Sequence, residues 1–597
     1  MKFRYPKNWK EEDSLKGLLF FTQIVEELTF EFSIDSYKAP VTNPPELISE
    51  SIANLKMSKK SDKGLAATKH ILDELIERLN KNSVSKGLLN IELTRLTAFN
   101  YENDDEVLRR LYILKREINP YSYATKAMEL LKVAVEENDK GEIYFISREL
   151  ITTLLNFGMS SSHIKRTVIN HFFGRVKKIN TVNQIDGFFK KVFPHQHKTT
   201  ACFKIESLAE IIDDKNISLF GIKIAESLPE AFMVAAKKHK FDTLSKGQKF
   251  VIVDEFRAFD KFSAAEEAKA RISRLHDFFG IYHHKDTFTL EDDALVHQCC
   301  TKAVSLVGKP ANRMQFISDS RPDKASKKLD NLLRQSRLFA GKDKHKFFRA
   351  VEFHGLSIAD TVLENQLLNI WISLETLSPK DPRRSISDNV VKGALPFLGL
   401  QYFQNIIDRL LFDIVQWNRM ELSRAFRSVS APKEYSTSEK LLFLIANPKH
   451  DKALSVLFTK MDKFELLRFR TYKLHQIFSN KQKLLKFLTE HQRKVEWQLR
   501  RIYRTRNGIV HSGNTPKFTN RLIENAHTYF DQIFNLCCDF SCGDSGLYDL
   551  DECYDFANWK FEEYQQNLLN AKDLWEEPPH TILWSKKAAP KRADILH

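Results

Sequence analysis

The fold is decided by the stretch RTRNGIVHSG at residues 504–513, which closes a long helical pattern. Upstream of it, apolar residues recur every three, four or seven positions, as on one face of an α-helix; they are Leu488, Val495, Leu499 and Ile502. Arg506 takes the next position on this stripe. A guanidinium on the core-facing side needs an anion or a cleft, because burying it unpaired is costly. Since Asn and Gly tolerate positive φ, Asn507 and Gly508 predict the end of the helix, with His511 in the loop that follows.

The flank of this stretch is strongly basic. Residues 481–521 carry eleven Lys or Arg against two Glu, a net charge of +9. Phosphates are the expected partners of such a surface, so we predict RNA contacts along it, made by Lys494, Arg500, Arg501 and Arg504. The simpler interpretation is a helix-terminal Arg and His that the helix dipole favours.

Arg506, Asn507 and His511 form an Arg-polar-x3-His motif that resembles the signature of HEPN ribonucleases. Upstream, LLNIWISLETL at residues 367–377 resembles the first helix of the ApeA-like HEPN group, an apolar run followed by Glu and Leu. The resemblance covers about residues 350–575. It implies a helical bundle that pairs so that two motifs face each other. It also implies RNA cleavage without a metal, often by toxins or antiviral effectors.

The motif residues suit RNA cleavage chemically. RNA carries its own nucleophile, the ribose 2′-hydroxyl, so a nuclease must supply a base, an acid and a cation for the phosphate. His511 can act as base or acid, because imidazole titrates near pH ~6.5. Arg506 can bind the phosphate with two parallel hydrogen bonds, and Asn507 can orient His511 or hold a phosphate oxygen. Glu375 is either a supporting group that pairs with Arg506 or Arg504 before RNA arrives, or a surface residue without a role.

Together with these residues, the resemblance to HEPN ribonucleases implies a metal-independent endoribonuclease acting as an antiphage abortive-infection effector. Its substrate is RNA, with tRNA as one candidate, and no cofactor or metal is expected. Each chain carries one motif His, which favours a homodimer or a higher homo-oligomer. The N-terminal part is expected to sense an unknown phage-derived trigger. Two alternatives stay open: a non-catalytic RNA-binding protein, and a dimerising sensor or adaptor.

Bulk composition favours a helical cytoplasmic protein. Gly and Pro are scarce in the 597 residues, at 19 and 18, which disfavours a turn-rich β fold. The net charge of +15 fits a nucleic-acid partner. No apolar run reaches the roughly 18 residues of a membrane span, and the N-terminus lacks the apolar core of a signal peptide. Seven cysteines, an odd number, fit a reducing compartment.

The patterns predict a mainly α chain with an N-terminal helical region, a small α+β module and a C-terminal HEPN-like bundle. The predicted segments are a β-containing start at 1–50, a helical region at 51–195, the α+β module at 196–320, a basic linker at 321–350, the bundle at 351–575 and a tail at 576–597. Alternating residues 28–34 predict a strand in the first segment. In the bundle, helices are predicted at 401–427, 437–446, 462–479, 483–507 and 516–538, with Thr515 as the cap of the last.

Cysteine positions leave one zinc question open. Four thiols lie close together near the C-terminus, at Cys537, Cys538, Cys542 and Cys553. Buried free thiols are favoured over zinc there, because the spacing is unusual and Cys537 lies on a helix stripe. The adjacent pairs His283-His284 and Cys299-Cys300 suit no usual zinc finger.

Overall fold

The computed structural model is mainly helical with one small antiparallel sheet, which confirms the coarse fold class. It describes residues 1–11, 13–30, 37–59, 68–175, 178–206, 217–284, 289–300, 304–309, 321–543, 546–576 and 579–584. No helix in these ranges combines the length and the apolar character that crossing a membrane requires.

The N-terminal region is a stack of helices, several of which begin at a side-chain cap. At the start of the helix Pro120–Glu136, Asn119 accepts a hydrogen bond from the Ser122 amide, and Pro120 occupies the first turn. Asp139 caps the start of the helix Lys140–Phe157, and Gly158, with a φ of 103°, ends it. The helices are α1 Lys16–Leu28, α2 Pro44–Lys59, α3 Lys69–Asn80, α4 Ser83–Lys86, α5 Leu93–Thr97, α6 Asp104–Glu117, α7 Pro120–Glu136, α8 Lys140–Phe157, α9 Ser161–Phe172 and α10 Ile185–Val192.

The α+β module is a five-stranded antiparallel sheet with a helix on each face. Its strands lie in the order β2-β3-β1-β4-β5, and one face packs on α12 while the other packs on α11. Successive apolar residues along β1 and β3 point to opposite faces of the sheet, so both strands contribute side chains to the core on each side. The elements are β1 His197–Glu206, β2 Ile222–Ala225, α11 Glu230–His239, β3 Gln248–Ala258, α12 Lys261–Gly280, β4 Ala294–Gln298 and β5 Ser305–Val307.

The C-terminal part is helical throughout its described residues. The predicted linker contains α13, whose side chains are all at least partly exposed, and the start of α14. The helices are α13 Pro322–Gln335, α14 Lys344–Ala359, α15 Leu363–Leu377, α16 Ile386–Leu400, α17 Tyr402–Ser428, α18 Thr437–Ala446, α19 Asp451–Lys460, α20 Glu465–Phe478, α21 Lys481–Ser512, α22 Thr519–Ser541, α23 Leu550–Asn570 and α24 Pro579–Ile582.

Two helical cores divide the chain differently from the predicted boundary at residue 351. The first core joins α1–α10 with α17–α20, and the second contains α14, α15, α16 and α22. Helix α21 belongs to both, since Leu488 is buried in the first core and Val495 and Ile502 in the second. Residues 402–488 therefore lie between two parts of the bundle in sequence but pack with the N-terminal helices.

Two other expectations about the N-terminal half and the bundle surface are corrected. In the described part of residues 1–50 there is no strand. Leu28 ends α1, and residues 31–34 of the predicted strand lie outside the described residues. The sequence also predicts that two bundle helices carry more apolar residues than one core needs, available for dimerisation; they are Phe403, Ile406, Leu410, Phe530 and Phe534. The structure buries the first four in the cores and half-buries Phe534, because neighbouring helices cover them. Of the predicted tail, α24 and Trp584 pack on the helices, and residues 585–597 lie outside the description.

Four histidines in the helical cores are held neutral. Burial lowers the pKa of His70, His491 and His527 to about 3 and that of His354 to about 4. In the unfolded chain these groups would take up protons below pH ~6.5. The unfolded state therefore binds more protons than the folded state from pH ~6.5 down to the folded pKa values, and stability falls across that window.

We expect the unfolding temperature to drop as the pH is lowered from 6.5 to 4.5, and His491→Gln to reduce that drop. His491 lies face to face on Tyr402, with ring centroids 3.5 Å apart, so its protonation is coupled to unfolding. Scanning fluorimetry across this pH range measures the effect. The matched control is His239→Gln, an exposed position on α11 that should leave the pH dependence unchanged. An equal drop in the wild type and His491→Gln would contradict the assignment.

Candidate active site

The motif lies on the last turns of α21 and not in a loop. Helix α21 continues through Asn507 and Gly508 to Ser512, and it ends at Gly513, which has a φ of 61°. The amides of Gly513 and Asn514 bond back to the carbonyls of Ile509 and Gly508, a glycine-based helix cap. A helical Gly508 costs about 1 kcal/mol relative to alanine, which the packing of a 32-residue helix in two cores offsets. The predicted stop was therefore five residues early.

The following helix also begins later than predicted. Helix α22 starts at Thr519, three residues after the expected start. Thr515 does not cap it; its hydroxyl donates to Oε1 of Glu364, 2.7 Å away, at the start of α15. This bond ties the α21–α22 connection to α15, so the motif end of α21 is held by a second helix of the bundle.

Arg506 is the distinctive cation of α21. Its Nη1 donates to Oδ1 of Asn507 at 3.0 Å, and its Nε is buried without a hydrogen-bond partner. Every other arginine on the helix pairs with a carboxylate, whereas none pairs with Arg506 among the described residues. A half-buried guanidinium with an unused donor is a ready binding group for an anion such as phosphate.

Helical geometry explains the spacing of the other two motif residues. Asn507 and His511 are four residues apart, so their side chains lie on one face of α21, one turn apart. His511 is exposed, as is Val510 beside it. Arg506 reaches this face through its bond to Asn507. The three residues thus form one surface group, in which an unpaired cation and an open imidazole flank an amide.

Arg501 and Arg504 are structural, which corrects the prediction that they bind RNA. Arg501 is 1% exposed, and its guanidinium lies between Glu50 of α2 and Glu74 of α3, at 3.0 and 2.6 Å. Arg504 bonds Glu50 and His70. A cation buried between carboxylates has no free face for a phosphate, so these two residues bind the N-terminal helices instead.

The pKa values of this cluster follow from its charges. Burial raises the pKa of Glu50, but Arg501 and Arg504 outweigh it and bring the pKa down to about 2. Burial lowers the pKa of Arg501, yet Glu50 and Glu74 reverse the shift and raise it. The charges of Glu50 and Arg501 therefore persist at neutral pH.

The other two residues predicted to contact RNA, Lys494 and Arg500, are accessible to solvent. Lys494 is exposed, and Arg500 is partly exposed although it contacts Asp388 and Glu496. Much of the +9 flank is also used internally: Lys481 donates to the Ala571 carbonyl at the end of α23, and Arg521 donates to the Pro40 carbonyl. The basic surface is consequently smaller than the sequence count indicates.

Glu375 does not pair with Arg506 or Arg504, in contrast to one of the two expectations for it. Its Oε2 accepts a hydrogen bond from Nε1 of Trp371 at 3.0 Å. Trp371 is fully buried and packs on Tyr503 of α21, with ring centroids 5.3 Å apart. Glu375 therefore satisfies a buried indole that joins α15 to the motif helix.

A cavity of about 350 Å³ lies where the N-terminal helices, the α+β module and α22 meet. It is lined from three sides by polar groups, among them Lys38, Arg257, Lys517 and Asn525. The amide oxygen of Asn525 is buried there without a hydrogen-bond partner. The sequence offered no signal for it, because its walls come from segments hundreds of residues apart.

The four C-terminal thiols do not gather as a metal site within the described residues. Cys537 and Cys553 are buried in the second core, where the Cys553 thiol faces the Cys537 carbonyl at 3.9 Å. No group of three or more ligand atoms forms around them in the described ranges. The burial of Cys537 and Cys553 agrees with the prediction of buried thiols at these two positions.

Comparison with known proteins gives no match: no family model, no curated protein and no solved structure corresponds to this chain.

We expect Arg501→Met to lower the free energy of unfolding by about 3–5 kcal/mol, because it leaves Glu50 and Glu74 buried without their cation. Denaturant midpoints measure the loss. Lys483→Met removes an exposed charge from the same helix and should change stability by about 0.5 kcal/mol or less. Adding Glu74→Leu to Arg501→Met should recover part of the loss. If Arg501→Met and Lys483→Met behave alike, the ion pair does not hold the helix.

Proposed function

We propose that the chain is a metal-independent endoribonuclease of the HEPN type, active through Arg506, Asn507 and His511. The observation that supports this most is the environment of Arg506. It is the α21 arginine without a carboxylate partner in the described part of the chain, and it is linked through Asn507 to the face that carries His511. A guanidinium that serves only stability would be expected to have its partner, as Arg501 has.

The three side chains divide the work of cleaving a phosphodiester. Arg506 binds the non-bridging oxygens of the phosphate and stabilises the charge that develops on them. An imidazole removes the 2′-hydroxyl proton, the 2′-oxygen attacks phosphorus, and a second proton donor protonates the departing 5′-oxygen. The products carry a 2′,3′-cyclic phosphate and a free 5′-hydroxyl. Asn507 holds Arg506 at the face where His511 acts.

One chain supplies one motif histidine, so the complete site is proposed to form between two copies. The motif end of each bundle has exposed apolar side chains, with Val510 50% exposed and Val362 49% exposed at the start of α15. Two-fold pairing of this end would cover these residues and bring two His511 side chains to one phosphate. Residue Lys494 and the open side of Arg500 would then contact the RNA backbone.

The N-terminal region is proposed to restrain cutting until a phage-derived trigger binds. Its α2 and α3 hold the motif helix through Glu50 and Glu74, whose ion pairs with Arg501 lie about one turn before Arg506. A shift of α2 or α3 would therefore reach the motif directly. Such restraint suits an abortive-infection effector, because uncontrolled cutting of cellular RNA would kill the host.

A second candidate is a non-catalytic RNA-binding protein. The observation that favours it is the single exposed His511, which lacks a second acid or base among the motif residues of one chain. In that case Arg506 and His511 only contact phosphate, and purified protein binds RNA without cutting it.

We expect the purified protein to cut RNA in the presence of a chelator, and His511→Ala or Arg506→Ala to slow cutting at least about 100-fold. The adjacent exposed residue supplies the control: Ser512→Ala should cut at the wild-type rate. Gel analysis with end-specific enzymes identifies the cyclic phosphate and the 5′-hydroxyl. Unchanged unfolding temperatures show that the variants fold. Activity that magnesium alone restores after chelation would exclude the proposed mechanism.

Mixed dimers test whether the site is shared. A dimer of one wild-type chain and one chain with both Arg506→Ala and His511→Ala should cut at far below half the wild-type rate, because the shared site keeps only one of its two histidines. The two chains carry different affinity tags and are purified sequentially, then assayed at once. Half the wild-type rate would show that each motif works alone, and full activity of a monomer would remove the dimer from the mechanism.

A further inference from the structure

Strand pairing in the α+β module brings together donor atoms that are far apart in the sequence. Strands β1 and β4 are antiparallel neighbours, with Thr199 opposite Gln298. The ladder continues, because the Cys299 amide donates to the Lys198 carbonyl at 2.9 Å. Its next step places His197 opposite Cys300, so these side chains share one edge of the sheet.

The donor atoms converge at this edge. Nδ1 of His197 lies 2.6 Å from Sγ of Cys300, and Sγ of Cys299 lies 3.5 Å from the same sulfur. All three atoms lie within 4.8 Å of one another. His195, two residues before the start of β1, places its ring centroid 5.1 Å from that of His197. Three nitrogen and sulfur donors therefore surround one point, and a second imidazole lies beside them.

The distances do not describe a disulfide. A sulfur–sulfur bond is about 2.05 Å long, well below the observed 3.5 Å. Two thiolates on one tetrahedral zinc ion, each at about 2.3 Å, lie about 3.8 Å apart, close to the observed separation. An ion between His197 and Cys300 would move these two atoms apart by about 1 Å, which a small χ1 rotation of the exposed cysteine provides.

Nitrogen and thiolate donors in a set of four favour zinc over magnesium or calcium, which prefer oxygen. A set filled by four protein ligands is typical of structural zinc, since no position stays open for substrate.

The other two groups of potential ligands have partners that explain them. Asp343, Asp549 and Asp551 face a cation, since Lys342 lies 3.1 Å from Asp549. His354 and His527 hydrogen-bond each other at 3.1 Å, and His527 lies 3.2 Å from Asp531. The three residues thus form a hydrogen-bonded chain of two neutral rings that ends at a carboxylate. The β1–β4 edge combines nitrogen and sulfur donors that hydrogen-bond one another, a set that a zinc ion can bind in place of those bonds.

We propose that His197, Cys299 and Cys300, with His195 as the fourth ligand, bind one structural zinc ion. The ion joins the start of β1 to the end of β4 and so fixes the α+β module where it follows the N-terminal helices. This site is independent of the RNA-cleaving motif. Its loss should weaken the module and leave the motif chemistry intact.

Cobalt titration of the full-length protein tests the proposal. Protein treated with chelator and kept under reductant should bind one equivalent of Co²⁺, with a thiolate-to-cobalt charge-transfer band and the visible bands of a tetrahedral ion, and Zn²⁺ should displace it. The variant with Cys299→Ser and Cys300→Ser should lose the charge-transfer band. Its affinity for zinc should fall about 100-fold or more, since each ligand contributes a few kcal/mol of binding energy.

The control variant replaces a thiol outside the proposed zinc site, and separate outcomes test the fourth ligand and the site itself. Cys538→Ser, in the bundle, should keep the full spectrum. His195→Gln should shift the visible bands, and an unchanged spectrum would overturn its role as fourth ligand. Absence of the charge-transfer band in the wild type, or its survival in the double serine variant, would overturn the site itself. RNA cleavage by the double serine variant reports on the motif separately, so the two proposals fail independently.

Discussion

The structure depends on one buried cation, the guanidinium of Arg501. Two carboxylates from different helices, Glu50 and Glu74, meet it in the interior, where any one of the three charges alone would be strongly unfavourable. Because all three are present, α2 and α3 are held against the middle of α21. The interaction specifies where the N-terminal region lies on the bundle, which apolar contacts alone would define less sharply.

Helix α21 carries this constraint to the motif. It passes through both helical cores, so its first half moves with the N-terminal helices and its second half with the bundle. A rigid element shared by two cores couples them mechanically, in the way that packed helices transmit small shifts. The motif occupies the far end of that element, where Gly513 terminates the helix and Thr515 ties the next segment to α15. The site is thus supported on a rigid frame and exposed at its tip.

The charge pattern of α21 separates the arginines that pair with carboxylates from the one that does not. Four arginines on the helix have carboxylate partners, and these pairings explain much of a sequence stretch that looks uniformly basic. Arg506 differs in having no carboxylate partner among the described residues, although Nε of Arg493 on the same helix is also buried without a hydrogen-bond partner. Under the proposed function, an RNA phosphate supplies the anion that Arg506 lacks.

The sequence by itself determined the helical class, the stripe along α21 and the position of Arg506 on it. Helical periodicity is local, and the buried Val495 and Ile502 confirm it. Only the tertiary structure decided which basic residues are structural, because Glu50 and Glu74 lie 451 and 427 positions from Arg501. It also decided where the helix ends, since packing in two cores overrides the weak local preference of Asn507 and Gly508. His197 and Cys300 are 103 positions apart and meet through strand register, which no local pattern records.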